Sequence, residues 1–219
     1  MTVQAAAQWL RERDNFLLLT HVRPDGDTLG SAAALCQALN ALGKTAYVLK
    51  NPGDLTRYEG FLTFSWAPEG FVPDHVVAVD IATEELLPEG AAQSYRGKSQ
   101  LCIDHHPSNE GYAQQTCLDA DASACGEIIY RVLTAMGLRL DRPTAEALYV
   151  AVSTDTGCFR YSNTTARTHR IAVRIFYGRP EEHGHRPAHR GHRRRYRLRY
   201  PAGRGGRNRG HHHPRERRS

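Results

Sequence analysis

Continuous apolar runs alternate with stretches of helical periodicity along the first 176 residues. Each run has four to six residues and leads into a polar segment, which is typical of a buried parallel strand. The predicted strands cover residues 15–20, 45–49, 75–79 and 100–103. Apolar residues three or four positions apart predict helices within residues 1–14, 28–42, 122–136, 143–153 and 165–176.

This alternation predicts an α/β fold with a parallel sheet of about five strands flanked by helices. Gly43 and Gly137 are placed to end two helices, Ser123 to cap one, and Pro143 to occupy a first turn. Open α/β sheets bind ligands beyond the carboxyl ends of their strands. We therefore expect the functional residues at that edge of the sheet.

The pattern stops near residue 176. Residues 178–219 lack Val, Lys and Asp and are dominated by Arg, His, Gly and Pro. Such a composition cannot bury enough apolar surface to offset its ordering entropy, so it predicts a disordered Arg-rich tail. The predicted division is a catalytic domain over residues 1–176 and a basic tail over residues 177–219.

The net charge of +6 is the sum of two opposite parts. Residues 174–219 carry 15 arginines and three glutamates, whereas residues 1–173 have six more acidic than basic side chains. An acidic body suits a site that gathers carboxylates around cations. No stretch approaches the roughly 18 apolar residues of a membrane span, and the N-terminus lacks a signal-peptide pattern. Five cysteines without C-x-x-C spacing predict reduced thiols in a cytoplasmic protein.

Four short segments place acidic and imidazole side chains at the ends of predicted elements. These segments are His21–Asp27, Val79–Asp80, Asp104–His106 and Thr154–Gly157. Gly26 permits a tight backbone between Asp25 and Asp27, so their carboxylates can converge on one cation. Carboxylates with a few imidazoles suit Mn²⁺, Mg²⁺, Fe²⁺ or Co²⁺ better than metals that prefer thiolates. Two such ions about 3.5–4 Å apart can activate water for attack at phosphorus, which predicts hydrolysis of a phosphate ester.

Each segment alone also has an ordinary structural interpretation. Asp25 and Asp27 could form a simple turn, and Asp80 could end a strand. His105 and His106 could be one satisfied and one exposed imidazole, and Asp155 could cap a turn. The combination of all four segments favours the metal site.

Taken together, the segments resemble the motifs of the DHH phosphoesterases. The chain reads H-x-x-P-D-G-D before Thr28–Ser31, then an Asp after V-V-A-V, then I-D-H-H and T-D-T-G. The resemblance covers residues 15–174 and keeps the four motifs in order. The opening His21 and the P-D-G-D form are similar to the nanoRNase (oligoribonuclease) and pAp-phosphatase type.

The resemblance implies a role for each motif residue. His21 and Asp25 would hold one ion, Asp27, His105 and Asp155 the other, and Asp80 would bridge the two. His106 would face the scissile phosphate, stabilising charge or donating a proton to the leaving oxygen. Asp104 would orient the imidazoles. The implied cofactors are two divalent metal ions, with Mn²⁺ expected.

The resemblance also implies the substrates: short RNA oligonucleotides, linear dinucleotides and 3′-phosphoadenosine 5′-phosphate. Arg160 and Ser123 are candidate phosphate contacts, although Arg160 could form a surface ion pair and Ser123 a helix cap. The partners expected are thus RNA oligonucleotides or nucleotides and no membrane, and a homodimer is compatible with the sequence.

Proteins of this type continue with a second, substrate-binding domain (DHHA1), which residues 177–219 do not resemble. We expect the tail to be a frameshifted or truncated product, because an out-of-frame GC-rich stretch yields Arg, Gly, Pro, Ala and His. Activity on natural oligonucleotides would then be impaired. Two alternatives stay open: a non-catalytic nucleic-acid-binding protein that uses the Arg-rich tail, and a family II pyrophosphatase-like hydrolase.

Overall fold

The sheet has five strands, all parallel. The computed structural model describes residues 1–53, 55–58 and 60–177. The strands are β1 (Phe16–Leu19), β2 (Ala46–Val48), β3 (His75–Val79), β4 (Leu101–Asp104) and β5 (Gln115–Leu118). Their order is β2-β1-β3-β4-β5. The predicted α/β fold with a parallel sheet is confirmed, and the tail at 178–219 lies outside the described residues.

Six α-helices accompany the sheet in the described part of the chain. They are α1 (Val3–Arg11), α2 (Gly26–Ala41), α3 (Glu89–Tyr95), α4 (Cys125–Ala135), α5 (Arg142–Asp155) and α6 (Ala166–Tyr177). A short 3-10 helix covers Glu84–Leu86. Among the described residues, none of the helices combines the length and the apolar character that crossing a membrane requires.

Both faces of the sheet are covered. Phe16 and Leu18 of β1 point into the larger core, which α1, α2, α4 and α5 complete. Leu17 and Leu19 point to the opposite face and pack in a smaller core that includes Ala91 of α3. All four side chains are fully buried, which explains why β1 is a continuous apolar run rather than an alternating one.

The strand order creates a change of direction beside β1. The chain passes from β1 through α2 to β2 on one side, and then crosses to β3 on the other side of β1. The crevice at such a switch point, beyond the carboxyl ends of the strands, is where open α/β sheets bind ligands. Here the segments that follow β1 and β3 are the ones containing His21 and Asp80.

One local expectation is wrong. Ser123 does not cap α4, because Ala124 is the N-cap residue and makes no side-chain cap bond. Asp155 is the last residue of helix α5, which extends two residues beyond the helix predicted over 143–153. By contrast, Pro143 does lie in the first turn of α5, where Asp141 caps the helix by accepting the Thr144 N–H at 3.0 Å.

Candidate metal centre

The structure brings all six predicted metal ligands to one place at the carboxyl edge of the sheet. Their ligand atoms form two sets within ion-binding reach, one of His21, Asp25 and Asp80, the other of Asp27, His105 and Asp155. A third set joins Asp80 to His105 and His106. The predicted split between two ions is therefore geometrically feasible, with Asp80 adjoining both sets.

The loop after β1 supplies the outer part of the cluster. Asp25 is the N-cap of α2, and its Oδ1 accepts the backbone N–H groups of Asp27 and Thr28 at 3.0 and 3.1 Å. The same oxygen lies 3.7 Å from Nε2 of His21. Burial opposes ionisation of Asp25, but His21 and these N–H groups outweigh it and lower the pKa of the carboxyl.

Asp27 is held from three directions. Its Oδ1 accepts the Ser31 hydroxyl at 3.0 Å and the Gly126 N–H at 2.9 Å, and its Oδ2 accepts the Cys125 N–H at 2.6 Å. These two N–H groups lie in the first turn of α4, where backbone donors have no acceptor within the helix. A Cβ at Gly126 would lie 2.6 Å from Cβ of Ala151, so glycine permits this close approach.

Asp80 lies between the two sets. Its Oδ2 is 3.8 Å from Nε2 of His21, and its Oδ1 is 3.5 Å from Nε2 of His105. The Asp80 side chain is 2 % exposed, and Oδ1 has no hydrogen-bond partner among the described residues. A buried carboxylate oxygen without a donor is costly, and a cation is the partner that fits it.

His105 presents a bare ring nitrogen to the cluster. Its Nδ1 lies 3.1 Å from the Ala122 carbonyl oxygen, which can only accept, so Nδ1 carries the proton. Nε2 then has a free lone pair, and it lies 3.7 Å from Oδ2 of Asp27 and 3.4 Å from Oδ2 of Asp155. A carbonyl that fixes the tautomer in this way is a common support for metal-binding histidines.

His106 and Asp104 form a separate pair beside the cluster. Nδ1 of His106 donates to Oδ1 of Asp104 at 2.8 Å, and the His105 N–H reaches the same oxygen at 2.8 Å. Asp104 is fully buried, which would raise the pKa of its carboxyl, but hydrogen bonds from His106 and Asn109 lower it overall. The hydrogen bond that His106 donates to Asp104 also raises the pKa of His106. Asp104 thus contacts the imidazole of His106, whereas the imidazole of His105 contacts the Ala122 carbonyl oxygen, and the orienting role of Asp104 stays a prediction.

The two candidate substrate residues have different outcomes. Ser123 is 2 % exposed, and its hydroxyl is engaged by the Asn163 carbonyl oxygen and the Thr168 hydroxyl, so it is not available to a substrate phosphate. Arg160 is exposed on the segment after α5, with Nε donating to the Gly157 carbonyl at 3.0 Å. Its contact with a phosphate stays a prediction.

The electrostatics of the cluster favour a bound cation. Burial, reinforced by neighbouring carboxylates, raises the pKa of Asp27 and Asp80 well above the usual range, and burial also raises the pKa of Asp155. The protein itself thus supplies too little positive charge to balance these carboxylates when they are ionised. Divalent cations would supply that charge, and the oxygen-rich donor set with two imidazoles fits Mn²⁺-type ions.

The side chains of the cluster differ widely in exposure. The side chains of Asp27, Asp80 and Asp104 are at most 2 % exposed, whereas His106 is 44 % and Asp25 is 54 % exposed. A substrate can therefore approach past His106 and Asp25, with the buried carboxylates behind the reacting group.

Several supporting contacts are not evident from the sequence motifs. Ser31 follows Asp27 by one helical turn, so its bond could have been anticipated from i,i+4 spacing. The N–H groups of Cys125 and Gly126, the Ala122 carbonyl and the Asn109 amide are distant in sequence or belong to the backbone. No local pattern identifies them.

Comparison with known proteins identifies the family to which the chain belongs. Residues 15–152 match the DHH family, N-terminal domain. The bifunctional oligoribonuclease and PAP phosphatase NrnA of Thermus thermophilus is 30% identical over 167 residues, which cover 74% of this chain and 49% of that protein. The NrnA protein of Bacillus subtilis is also 30% identical over 167 residues, covering 73% and 51%. The chain spans about half the length of these curated relatives.

A solved structure shares the fold. An exopolyphosphatase-related protein from Bacteroides fragilis superposes with a TM-score of 0.67 at 21% identity, covering 80% of this chain and 55% of that one.

Since the family match extends from β1 through most of α5 and includes three of the four motifs, the chain belongs to the DHH family.

Proposed function

We propose that this chain is a two-metal phosphoesterase that hydrolyses short oligoribonucleotides and linear dinucleotides, with 3′-phosphoadenosine 5′-phosphate as a further substrate. The observation that carries the proposal is the position of Asp80, whose two oxygens face His21 and His105 respectively. One buried carboxylate that lies between two ligand sets is what a pair of neighbouring cations needs. The ions proposed are Mn²⁺, with Mg²⁺, Co²⁺ or Fe²⁺ as alternatives.

The residues of the chain have separate tasks in this proposal. His21 and Asp25 hold one ion, Asp27, His105 and Asp155 hold the other, and Asp80 contributes to both. When bound, the two ions supply a nucleophile from water at neutral pH and stabilise charge on the phosphate oxygens. His106, the most exposed imidazole of the cluster, stabilises the phosphate or gives a proton to the leaving oxygen.

The names of the relatives support the substrate class. Both NrnA proteins are described as oligoribonucleases and PAP phosphatases, and they match 74% and 73% of this chain. The impaired activity expected from the sequence of residues 177–219 stays a prediction. A cytoplasmic location is proposed because all five cysteines are free and four of them are buried, as in a reducing compartment.

The test is hydrolysis by the full chain supplied with Mn²⁺, using pApA, a trinucleotide RNA and 3′-phosphoadenosine 5′-phosphate in parallel. We expect Mn²⁺-dependent release of mononucleotide or phosphate, lost in Asp80→Ala and retained in Asp141→Asn, a matched change at a remote helix cap. Rapid phosphate release from pyrophosphate, without hydrolysis of the nucleotides, would instead favour the pyrophosphatase class.

Deletion of residues 178–219 separates catalysis from binding by the tail. Survival of Mn²⁺-dependent cleavage in the deletion variant supports the enzyme. Joint loss of RNA binding and hydrolysis, with metal content intact, contradicts it and favours a nucleic-acid-binding protein.

A further inference from the structure

Asn109 has both ends of its side-chain amide engaged in the turn after β4. Nδ2 donates to Oδ2 of Asp104 at 2.6 Å and to the Ile81 carbonyl oxygen at 3.3 Å. Oδ1 accepts the Gly111 N–H at 2.8 Å. The amide orientation is therefore fixed by its partners, because a carboxylate and a carbonyl require donors and an N–H requires an acceptor.

This contact completes the surroundings of a buried carboxylate. Oδ1 of Asp104 accepts from the His106 ring and from the backbone N–H of His105, so Asn109 is the side chain that binds Oδ2. Asp104 is fully buried. With donors on both oxygens the carboxylate has one defined orientation, and that orientation determines where the His106 ring lies.

Asp104 also determines which ring nitrogen of His106 carries a proton. Because Asp104 accepts from Nδ1, that nitrogen carries a proton, and Nε2 is the nitrogen left to face a substrate, to which it can donate only when the ring is protonated on both nitrogens. Loss of the hydrogen bond from Asn109 to Asp104 would let the His106 ring rotate or exchange its tautomer. Rotation moves Nε2 away from the position where it could contact a phosphate, and tautomer exchange changes whether Nε2 carries a proton.

The same amide also connects two motif loops. The Ile81 carbonyl, which Asn109 shares with the Tyr112 hydroxyl at 3.0 Å, follows directly after Asp80. Asn109 thus touches the loop that bears Asp80 as well as the carboxylate that orients His106. The stronger of its two bonds, by length and by the charge of the acceptor, is the one to Asp104.

We propose that Asn109 is a positioning residue that fixes Asp104 and, through it, the orientation and tautomer of His106. This inference deepens the proposed phosphoesterase function and rests on it for its kinetic part. It predicts that substitution of Asn109 lowers kcat and leaves the affinity for metal ions nearly unchanged.

Two substitutions test the proposal. Asn109→Asp keeps the shape and the acceptor for Gly111 but replaces the donors with lone pairs that face Asp104 and Ile81. Asn109→Ala removes the amide. The matched control is Asn40→Asp, because Asn40 is also half-buried, with Nδ2 donating to the Ala46 carbonyl and Oδ1 accepting the Ala46 N–H, both at 3.0 Å, far from the cluster.

Kinetics and Mn²⁺ binding are measured on the full chain with pApA as substrate. We expect both Asn109 variants to lower kcat by about 10- to 100-fold, the usual effect of losing a residue that supports a catalytic group. KM and the Mn²⁺ dissociation constant should stay within about threefold, whereas Asn40→Asp should leave all three near wild type. A loss of Mn²⁺ affinity as large as the loss of kcat would overturn the proposal, since it would place the effect on Asp80 through Ile81.

The tautomer is measured directly by long-range ¹H–¹⁵N NMR of the metal-free full chain, with the His106 signals assigned by His106→Gln. We expect the proton on Nδ1 in the wild type and in Asn40→Asp, and a measurable shift toward Nε2 in Asn109→Asp. An unchanged His106 signal in that variant overturns the proposal. This readout needs no substrate, so it remains decisive even where the chain shows no hydrolysis and the proposed function fails.

Discussion

Asp80 combines three unfavourable features in one residue. It is buried, one of its oxygens lacks a donor among the described residues, and its backbone has φ 60°, in the left-handed region that few residues other than glycine adopt. Its N–H donates to the Ile103 carbonyl oxygen at 2.9 Å, which fixes this conformation against β4. Strain of this kind persists at sites where the surrounding structure imposes it, and it is commonly linked to function.

We therefore predict that Asp80→Asn stabilises the metal-free protein. Asparagine tolerates the left-handed backbone and removes the charge that neighbouring carboxylates oppose. In EDTA we expect Tm to rise by about 2–4 °C, corresponding to about 1 kcal/mol for a chain of this size. Thermal unfolding followed by circular dichroism measures it, and a lower Tm in EDTA would contradict the assigned repulsion. Asp141→Asn, which replaces one good cap by another, should leave Tm unchanged.

The cysteines allow a prediction about reactivity. Cys158 is exposed and the other four are buried; burial raises the pKa of Cys36 to about 11 and of Cys102 to about 12. A thiol reacts as its thiolate, so at pH 8 these two are almost entirely protonated as well as shielded. We expect iodoacetamide to modify Cys158 alone in the native protein and all five cysteines in guanidinium chloride. Peptide mass spectrometry identifies the sites, and native labelling of Cys36 or Cys102 would contradict their burial.

At the scale of elements, the close contact between α2 and α5 joins two of the metal-site segments. A Cβ at Gly30 would lie 2.5 Å from the Ala147 carbonyl oxygen and 2.9 Å from the Ala151 nitrogen, both backbone atoms that cannot rotate away. Helix α2 bears Asp27 and α5 bears Asp155. The spacing of these helices therefore sets the distance between two predicted ligands.

We predict that Gly30→Ala destabilises the protein by about 1–3 kcal/mol, because the helices must separate. We also expect weaker Mn²⁺ binding, measured by calorimetry, as Asp27 and Asp155 move apart. The matched control is Gly90→Ala in α3, where a Cβ meets no atom within 4 Å and alanine favours the helix. Equal stability of the two variants in urea would show that the α2–α5 contact can relax without cost.

The elements differ in how well the sequence predicts them. Strand β3 has the bounds predicted from its apolar run, His75–Val79, because four of its five residues are buried. Strand β5 and helix α3 were not predicted. Only one residue of β5, Cys117, is buried, and α3 buries only Ala91, so neither element has a clear apolar period.

The residues of the candidate site also differ in how well the sequence predicts them. The side chains that would touch a metal stand out, since carboxylates and imidazoles at the ends of apolar runs are unusual. The groups that orient them are backbone N–H and carbonyl groups or an asparagine, which occur in any turn. Cys125 and Gly126 reach Asp27 across almost one hundred positions of chain, so their contact follows from helix packing and not from a local pattern.

At the scale of the whole molecule, folding and metal binding should be coupled. The ligands come from the segments after β1, β3 and β4 and from helix α5, so the site exists only when the sheet and α5 are assembled. A ligand that binds the folded state alone stabilises it by RT ln(1 + [L]/Kd), about 2.7 kcal/mol at one hundred times Kd.

We accordingly predict that saturating Mn²⁺ raises the Tm of the full chain by about 5–10 °C over its value in EDTA. The shift should be largely absent in Asp80→Ala, which lacks the carboxylate that adjoins both ligand sets. Differential scanning calorimetry at several Mn²⁺ concentrations provides the measurement. A concentration-independent Tm would mean that the cluster does not bind the ion in the folded protein.

The uneven exposure of the cluster implies that cations bound in its two halves would exchange with free cations at different rates. In one half Asp27 and His105 are 1 % and 12 % exposed and Asp155 is 30 % exposed, with Asp27 fixed by two N–H groups and a hydroxyl, whereas Asp25 in the other half is 54 % exposed. The inner position would fill tightly and release slowly, and the outer one would equilibrate with free cation. The fraction of catalytically competent protein would then depend on the free cation concentration only through occupancy of the outer position.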